Sequence, residues 1–155
     1  MNRFQSFILI FFFAASILII TFVMKNINSN KKETATVCFS GVCIEAEITK
    51  TPAERARGLM DRKSLDDNKG IIFIFEKEGL YRFTMKNTLI PLDIIWLDSN
   101  FKIVHLEHAV PCPSQSCKSY PPNKPARYVV EVNSGFTTKN NIKVGDLVAI
   151  ELPPN

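Results

Sequence analysis

The chain lacks most of what would mark an enzyme on first reading. It contains no G-x-S-x-G, no glycine-rich phosphate loop, and only two histidines, His105 and His108. On a strand, residues three apart point to opposite faces, so these two cannot jointly hold a metal without an intervening bend. The six glycines are spread over turns, and there are no internal repeats. A basic cluster is missing too. Apart from Arg3, Lys25, Lys31 and Lys32, the chain balances fifteen basic against fifteen acidic residues, all from Glu33 onward. A neutral domain without a Lys/Arg cluster has no electrostatic footprint for nucleic acid. No metal or other cofactor is expected.

Charge is also absent between Arg3 and Lys25. From Phe7 to Met24 the chain reads FILIFFFAASILIITFVM, interrupted only by Ser16 and Thr21. With Phe4, this run approaches the roughly 20 residues that span a bilayer core. A buried core helix would show a polar stripe, and this run shows none. A cleavable signal has a shorter apolar core followed by a small-x-small site. Here Ala14, Ala15 and Ser16 fall mid-run, and Lys25-Asn26-Ile27-Asn28 is a poor site. The expectation is a retained anchor over 1–25, meeting the membrane through residues 4–24. A polar tether over 26–35 and a β domain over 36–152 follow. Flanking positive charges do not decide the orientation.

The four cysteines do. Cys38 and Cys43 bracket CFSGVC, and Cys112 and Cys117 bracket CPSQSC in a proline-rich loop. If Ser40-Gly41 is a two-residue hairpin loop of type I′, Cys38 faces Cys43 in a non-hydrogen-bonded pair. Four cysteines allow three connectivities. A Cys₄ zinc site is a rival, although zinc knuckles usually space their ligands C-x₂-C, and four free thiols are another. Two local disulfides are the simplest arrangement. They imply an oxidising compartment, hence a single-pass cell-membrane protein with its C-terminal domain outside the cytoplasm.

The rest of the chain alternates short strands and turns. Thr36 to Ile48 reads as a hairpin. In TPAERARGLMDR, Thr51 suits an N-cap, Pro52 the first helical position, and Glu54 a capping box. Ala53, Ala56, Leu59 and Met60 share one helical face, and Gly58 within the helix implies close packing. Gly70–Phe75 reads as a buried strand, and Phe83–Asn87 as another. Leu92–Leu97 and Phe101–Glu107 form a hairpin, and 110–125 reads as loop. ARYVVEV, a turn with one helical turn, and a last strand in VGDLVAIEL complete the domain. One clear helix among many strands predicts an all-β, compact jelly-roll-like sandwich or barrel behind the N-terminal transmembrane helix.

The blocks TPAERARGLMDRKSL, GIIFIF, FTMKNTLIPLDIIWLD, YVVEVNSG and IKVGD, in that order, resemble the domain of unknown function 192 family over nearly all of 36–152. The resemblance implies a small exported or membrane-anchored jelly-roll-like β domain without an assigned activity. Two positions depart from the family pattern. Thr84 stands where a Trp is usual, which opens a site or weakens stacking. Ile71 stands for a usual Met.

FTMKNTLIPLDIIWLD raises the functional question, because polar groups sit inside strand-like sequence around the Ile90-Pro91 step. Pro91 has no N–H and biases Ile90 to extended geometry, so the ladder breaks between Thr88 and Pro91. Lys86, Asn87, Thr88 and Asp93, with Arg62, Tyr120 and Glu131, are the candidate ligand-binding residues. The structural alternative has Asn87 and Thr88 capping turn backbone, and Asp93 or Glu131 paired with Lys86, Arg62 or Arg127. On this reading Arg57 and Arg62 serve solvation or a helix C-terminus. Lys86 is expected to be solvent-facing and to contact the ligand. The expected role is non-catalytic binding of a small polar ligand, carbohydrate being the fold-level analogy, or of an envelope partner. Two rivals remain: a glycosidase-like hydrolase using Asp93 and Glu131, and a structural envelope component.

Overall fold

The computed structural model describes residues 13, 16–22, 32–112 and 116–154. The chain divides into two units, 1–32 and 33–155. In the first, Phe13 and residues 16–22 are helical. The Ser16 and Thr21 hydroxyls donate to the carbonyls of Phe13 and Leu18, at 2.7 and 2.9 Å. Phe13, Ile17, Leu18, Ile19, Ile20 and Phe22 are all exposed. Among the described residues no helix is long and apolar enough to cross a membrane. Most of the expected anchor and of the tether lies outside the described residues.

The second unit is built from nine strands and two short helices among its described residues: β1 Thr34–Phe39, β2 Val42–Thr49, α1 Pro52–Arg57, β3 Lys69–Gly79, β4 Phe83–Thr84, β5 Leu92–Leu97, β6 Ile103–Ala109, β7 Ser119–Tyr120, β8 Ala126–Asn133, α2 Phe136–Lys139 and β9 Val148–Glu151. Strand β1 takes the last two residues assigned to the tether. Seven strands form one sheet in the order β6-β5-β8-β3-β2-β1-β9, and β4 pairs with β7 in a separate ribbon. Of the expected sandwich or barrel, the structure shows one mixed sheet curled into a half-barrel rather than two facing sheets. The crossover through α1 lays β3 parallel to β2, as a connection longer than a hairpin allows.

The curl is fixed at one corner. The Ile103 N–H donates to the Asp146 carbonyl and the Gly145 N–H to the Ile103 carbonyl, both at 2.9 Å, while the Val148 N–H donates to Phe101 at 3.0 Å. These bonds tie the turn before β9 to the start of β6, the two strands at opposite ends of the sheet order. One face of the sheet carries Val37, Phe39, Ile72, Ile95, Leu97 and Val130, closed by Phe136 and Ile142. The other carries Ile71, Phe73, Ile94, Trp96 and Val129, covered by Leu59, Met85 and Tyr120. Because both faces are covered, all six residues of β5 are buried, which accounts for the lack of apolar–polar alternation in LDIIWL. Gly70 is required where β3 meets β8: a Cβ there would lie 2.8 Å from the Glu131 carbonyl oxygen.

The amino-terminal hairpin forms in the expected register, Cys38 opposite Cys43. Ser40 and Gly41 both have positive φ, at 38° and 96°, as a type I′ turn requires. Disulfides join Cys38 to Cys43 and Cys112 to Cys117, with Cα–Cα distances of 4.0 and 5.8 Å. Among the described residues no cysteine is free.

Three local expectations are corrected. Helix α1 ends at Arg57 with no buried residue, and Gly58 is its C-cap, at φ 47°. Leu59 then packs into the core from the following turn, so the apolar face continues beyond the helix itself. The strand expected over Phe83–Asn87 stops at Thr84, because Asn87 turns the chain at φ 56°. Inside the supposed loop 110–125, β7 pairs Tyr120 with Phe83.

Candidate functional site

The capping box at Thr51 and Glu54 starts α1 as its sequence dictates. The helix then lies beside one rim of a cavity of about 300 Å³. Its walls include Phe73 and Phe75 from β3, Phe83 from β4, and Gly58 and Leu59 from the turn after α1. Glu131 and Thr88 also line it, and each is only 5% exposed.

Glu131 occupies this position because of sheet register. On β8 it pairs with Ile71 of β3 and Ile94 of β5, both completely buried. Its carboxyl thus emerges between two apolar strands. It makes no hydrogen bond or ion pair among the described residues. Burial alone pushes its pKa from 4.5 to about 8, since a charge removed from water without a partner is disfavoured. The acid is therefore mostly protonated at neutral pH and can donate a hydrogen bond. Thr88 is held by its own backbone, its N–H donating to the Met85 carbonyl at 3.0 Å. Its hydroxyl likewise has no partner among the described residues.

Gly58 keeps the floor open. A Cβ at this residue would stand 3.3 Å from the Phe73 ring and 3.8 Å from Glu131 Oε2. The close packing expected of this glycine is real, but it occurs at a helix end and beside a carboxyl. The walls are braced. Phe73 and Phe83 meet edge to face at 4.8 Å, and Phe83 meets Trp96 at 5.7 Å. The Trp96 indole N–H donates to the Tyr81 carbonyl at 3.0 Å, fixing the chain that carries Arg82 and Phe83. Arg55 is committed to the wall: it donates to the carbonyls of Lys50 and Ile74 and lies over the Phe75 ring. Arg57 and Arg82 line the cavity from exposed positions.

Of the seven expected site residues, the structure brings only Thr88 and Glu131 together here. Lys86 is exposed, as expected, but neither Lys86 nor Asn87 lines the cavity. Arg62 is engaged with Glu47 at 2.6 Å. Tyr120 is buried, with its hydroxyl accepting from the Val110 N–H at 3.4 Å.

Asp93 belongs to the other face. It pairs with Val132 on β8, one residue along from the Ile94–Glu131 pair, and alternation sends the two carboxyls to opposite sides of the sheet. A glycosidase pair of Asp93 and Glu131 across one cleft is therefore ruled out. Asp93 is 1% exposed. It accepts from the Thr137 hydroxyl and N–H at 2.7 and 2.9 Å and from the Gly135 N–H at 3.1 Å. His108 Nδ1 lies 2.7 Å away. Burial pushes this carboxyl up, but hydrogen bonds from Thr137, His108 and Gly135 outweigh it and hold the pKa below the usual range. The alternative pairing of Asp93 with Lys86, Arg62 or Arg127 is not what the structure shows: Asp93 holds the β8–α2 turn through Gly135 and Thr137, with His108 beside it.

Sequence reading missed Gly58, Phe73, Phe83 and Arg82 as site residues. Gly58 comes from the turn after α1, Phe73 from β3, Arg82 from just before β4 and Phe83 from its start, so only the long-range fold brings them together. The unpaired carboxyl in YVVEV was the one available signal. Among the described residues no group of three His, Cys, Asp or Glu side chains is placed to hold a metal ion.

The sequence matches the family model of domain of unknown function 192, described as uncharacterized ACR, over residues 35–150. It is 28% identical over 110 residues to the UPF0127 protein TK1120 of Thermococcus kodakarensis, covering 68% of this chain and 64% of that one. The chain thus spans just under two thirds of the length of that relative. A crystal structure of a protein of unknown function from Novosphingobium aromaticivorans shares 35% identity at a TM-score of 0.67, covering 75% of this chain and 83% of that one. A Sinorhizobium meliloti protein, described as a candidate transcription regulator, shares 29% identity at a TM-score of 0.66, covering 77% and 93%. With the family model matching three quarters of its length, this chain belongs to the domain of unknown function 192 family, whose function is uncharacterised.

Proposed function

We propose that the Glu131 cavity is a binding site for a small polar ligand, held without catalysis. The observation that carries this is a buried carboxyl with no protein partner, facing an open cavity of ligand size. The Glu131 carboxyl and the Thr88 hydroxyl face the cavity, where a ligand can supply the hydrogen bonds that the protein does not. Braced aromatic walls with a few convergent polar groups are the usual build of a small-molecule site. Thr84 lines the mouth, where a larger aromatic would narrow it. Among the described residues lining the cavity Glu131 is the one carboxylic acid, and a single acid favours binding over a two-carboxylate hydrolysis.

A thermal-shift screen of small polar compounds, sugars included, tests this when run on the chain and on Ala56→Trp. Ala56 is exposed and lines the cavity, so the indole fills the mouth at little cost to folding. Compounds should raise the melting temperature of the parent and not of the variant. Equal shifts in both, or no shift with any compound, would refute the reading.

The domain is proposed to be displayed outside the cytoplasm on a retained membrane anchor. The described part of the apolar run is helical and exposes its large side chains, and its hydroxyls are satisfied by carbonyls three residues back, as a lipid environment demands. Two disulfides suit an oxidising compartment. Protease added to intact cells should remove the domain. Full protection would contradict the topology.

A further inference from the structure

We infer that the ligand is a small organic anion with a flat apolar body: its carboxylate or phosphate meets Arg57 and Arg82 at the rim, and an acceptor atom at its inner end meets Glu131 and Thr88. This rests on the binding reading above. The charged and titratable groups lining the cavity are Arg55, Arg57, Tyr81, Arg82 and Glu131. Arg55 is spent on backbone carbonyls and the Phe75 ring. Among the described residues the exposed guanidiniums of Arg57 and Arg82 have no hydrogen-bond or ion-pair partner, and a planar guanidinium binds an anion in bidentate fashion.

The inner end has the opposite requirement. Burial keeps the Glu131 acid protonated through neutral pH, so the floor presents hydrogen-bond donors in Glu131 and Thr88. A cationic ligand would meet three guanidiniums on entry and find a floor that is not an anion. Between the two ends, Phe73 and Phe83 meet edge to face, leaving ring surface for a flat body. When the pH rises through about 8 the acid ionises, its donor is lost, and a negative charge appears in the same pocket as the ligand. Affinity for the anion must then fall.

The matched probes are 4-acetylbenzoate, 4-acetylphenyl phosphate, neutral 4-acetylbenzamide and cationic 4-acetylbenzylamine. Binding is read by calorimetry or ligand-observed NMR with the full chain. One or both anions should bind at least tenfold more tightly than the amide and amine at pH 7, and the better anion tells carboxylate from phosphate. Arg57→Met with Arg82→Met should cut the anion's advantage over the amide at least tenfold. The parent should lose affinity for the anion between pH 7 and 9, while Glu131→Gln, whose amide still donates, should bind it with a flat profile. Tighter binding of amide or amine, blocked by Ala56→Trp, would overturn the anion assignment and leave the cavity reading standing. If no probe binds while a compound of the thermal-shift screen shifts the parent and not Ala56→Trp, the anion assignment falls alone; if neither happens, both fall.

Discussion

Glu131 and Asp93 are two carboxylic acids on adjacent strands that meet opposite fates. Asp93 is buried with four hydrogen bonds and is held ionised. Glu131 is buried with none and is pushed up to about 8. The sign of each effect on stability follows. A raised folded pKa favours the protonated native state, so Glu131 contributes stability below about pH 4.5 that is lost as pH rises through about 8. In thermal melts from pH 5 to 9, Glu131→Gln should gain on the parent steadily, by a few kcal/mol in total. Parallel curves would mean the acid is solvated or paired. Asp93 behaves conversely, its contribution being present above the ordinary carboxylate range and lost as pH falls through its lowered folded pKa. Asp93→Ala strands the Thr137 and Gly135 donors and should cost about 3–5 kcal/mol, a fall in melting temperature on the order of 10 °C. Because Asp93 faces away from the cavity, ligand affinity in the folded variant should be unchanged.

At the scale of elements, the legible parts were those governed by local rules. The Ser40-Gly41 turn and the Cys38–Cys43 facing pair follow from hairpin register, and α1 begins where Thr51, Pro52 and Glu54 place its start. Mass spectrometry of unreduced peptides should recover both local disulfides. Replacing Cys38 and Cys43 with Ala should cost no more than about 2–3 kcal/mol, because the closed loop is short. The FTMKNTLIPLDIIWLD stretch was legible only in part. The break before Pro91 was visible, and so was the accessibility of Lys86. Hidden was the positive φ at Asn87, which ends the strand early and turns Thr88 inward while Lys86 and Asn87 stay outside the cavity. Lys86→Met should therefore leave both the melting temperature and ligand binding near the parent's. His108 as the partner of Asp93 was equally hidden, because it depends on which residue of β6 lies opposite.

For the whole molecule, the count of short strands carried the all-β class, but could not tell two facing sheets from one curled sheet. That choice depends on long-range bonds, such as those between Ile103 and the Gly145-Asp146 turn, which leave no mark on local periodicity. The same curl assigns the two faces of β8 to different surroundings: Val130 and Val132 to the core closed by Phe136, Glu131 to the cavity beneath α1. The central claim is that the Glu131 carboxyl stands buried and unpaired by the protein, facing a cavity kept open for a ligand. Carbon-13 NMR titration of glutamate side-chain carboxyls, with the Glu131 signal assigned by its absence in Glu131→Gln, measures this directly. A midpoint near 8 is expected in the unliganded chain. A midpoint in the ordinary glutamate range, about 4–5, would contradict it.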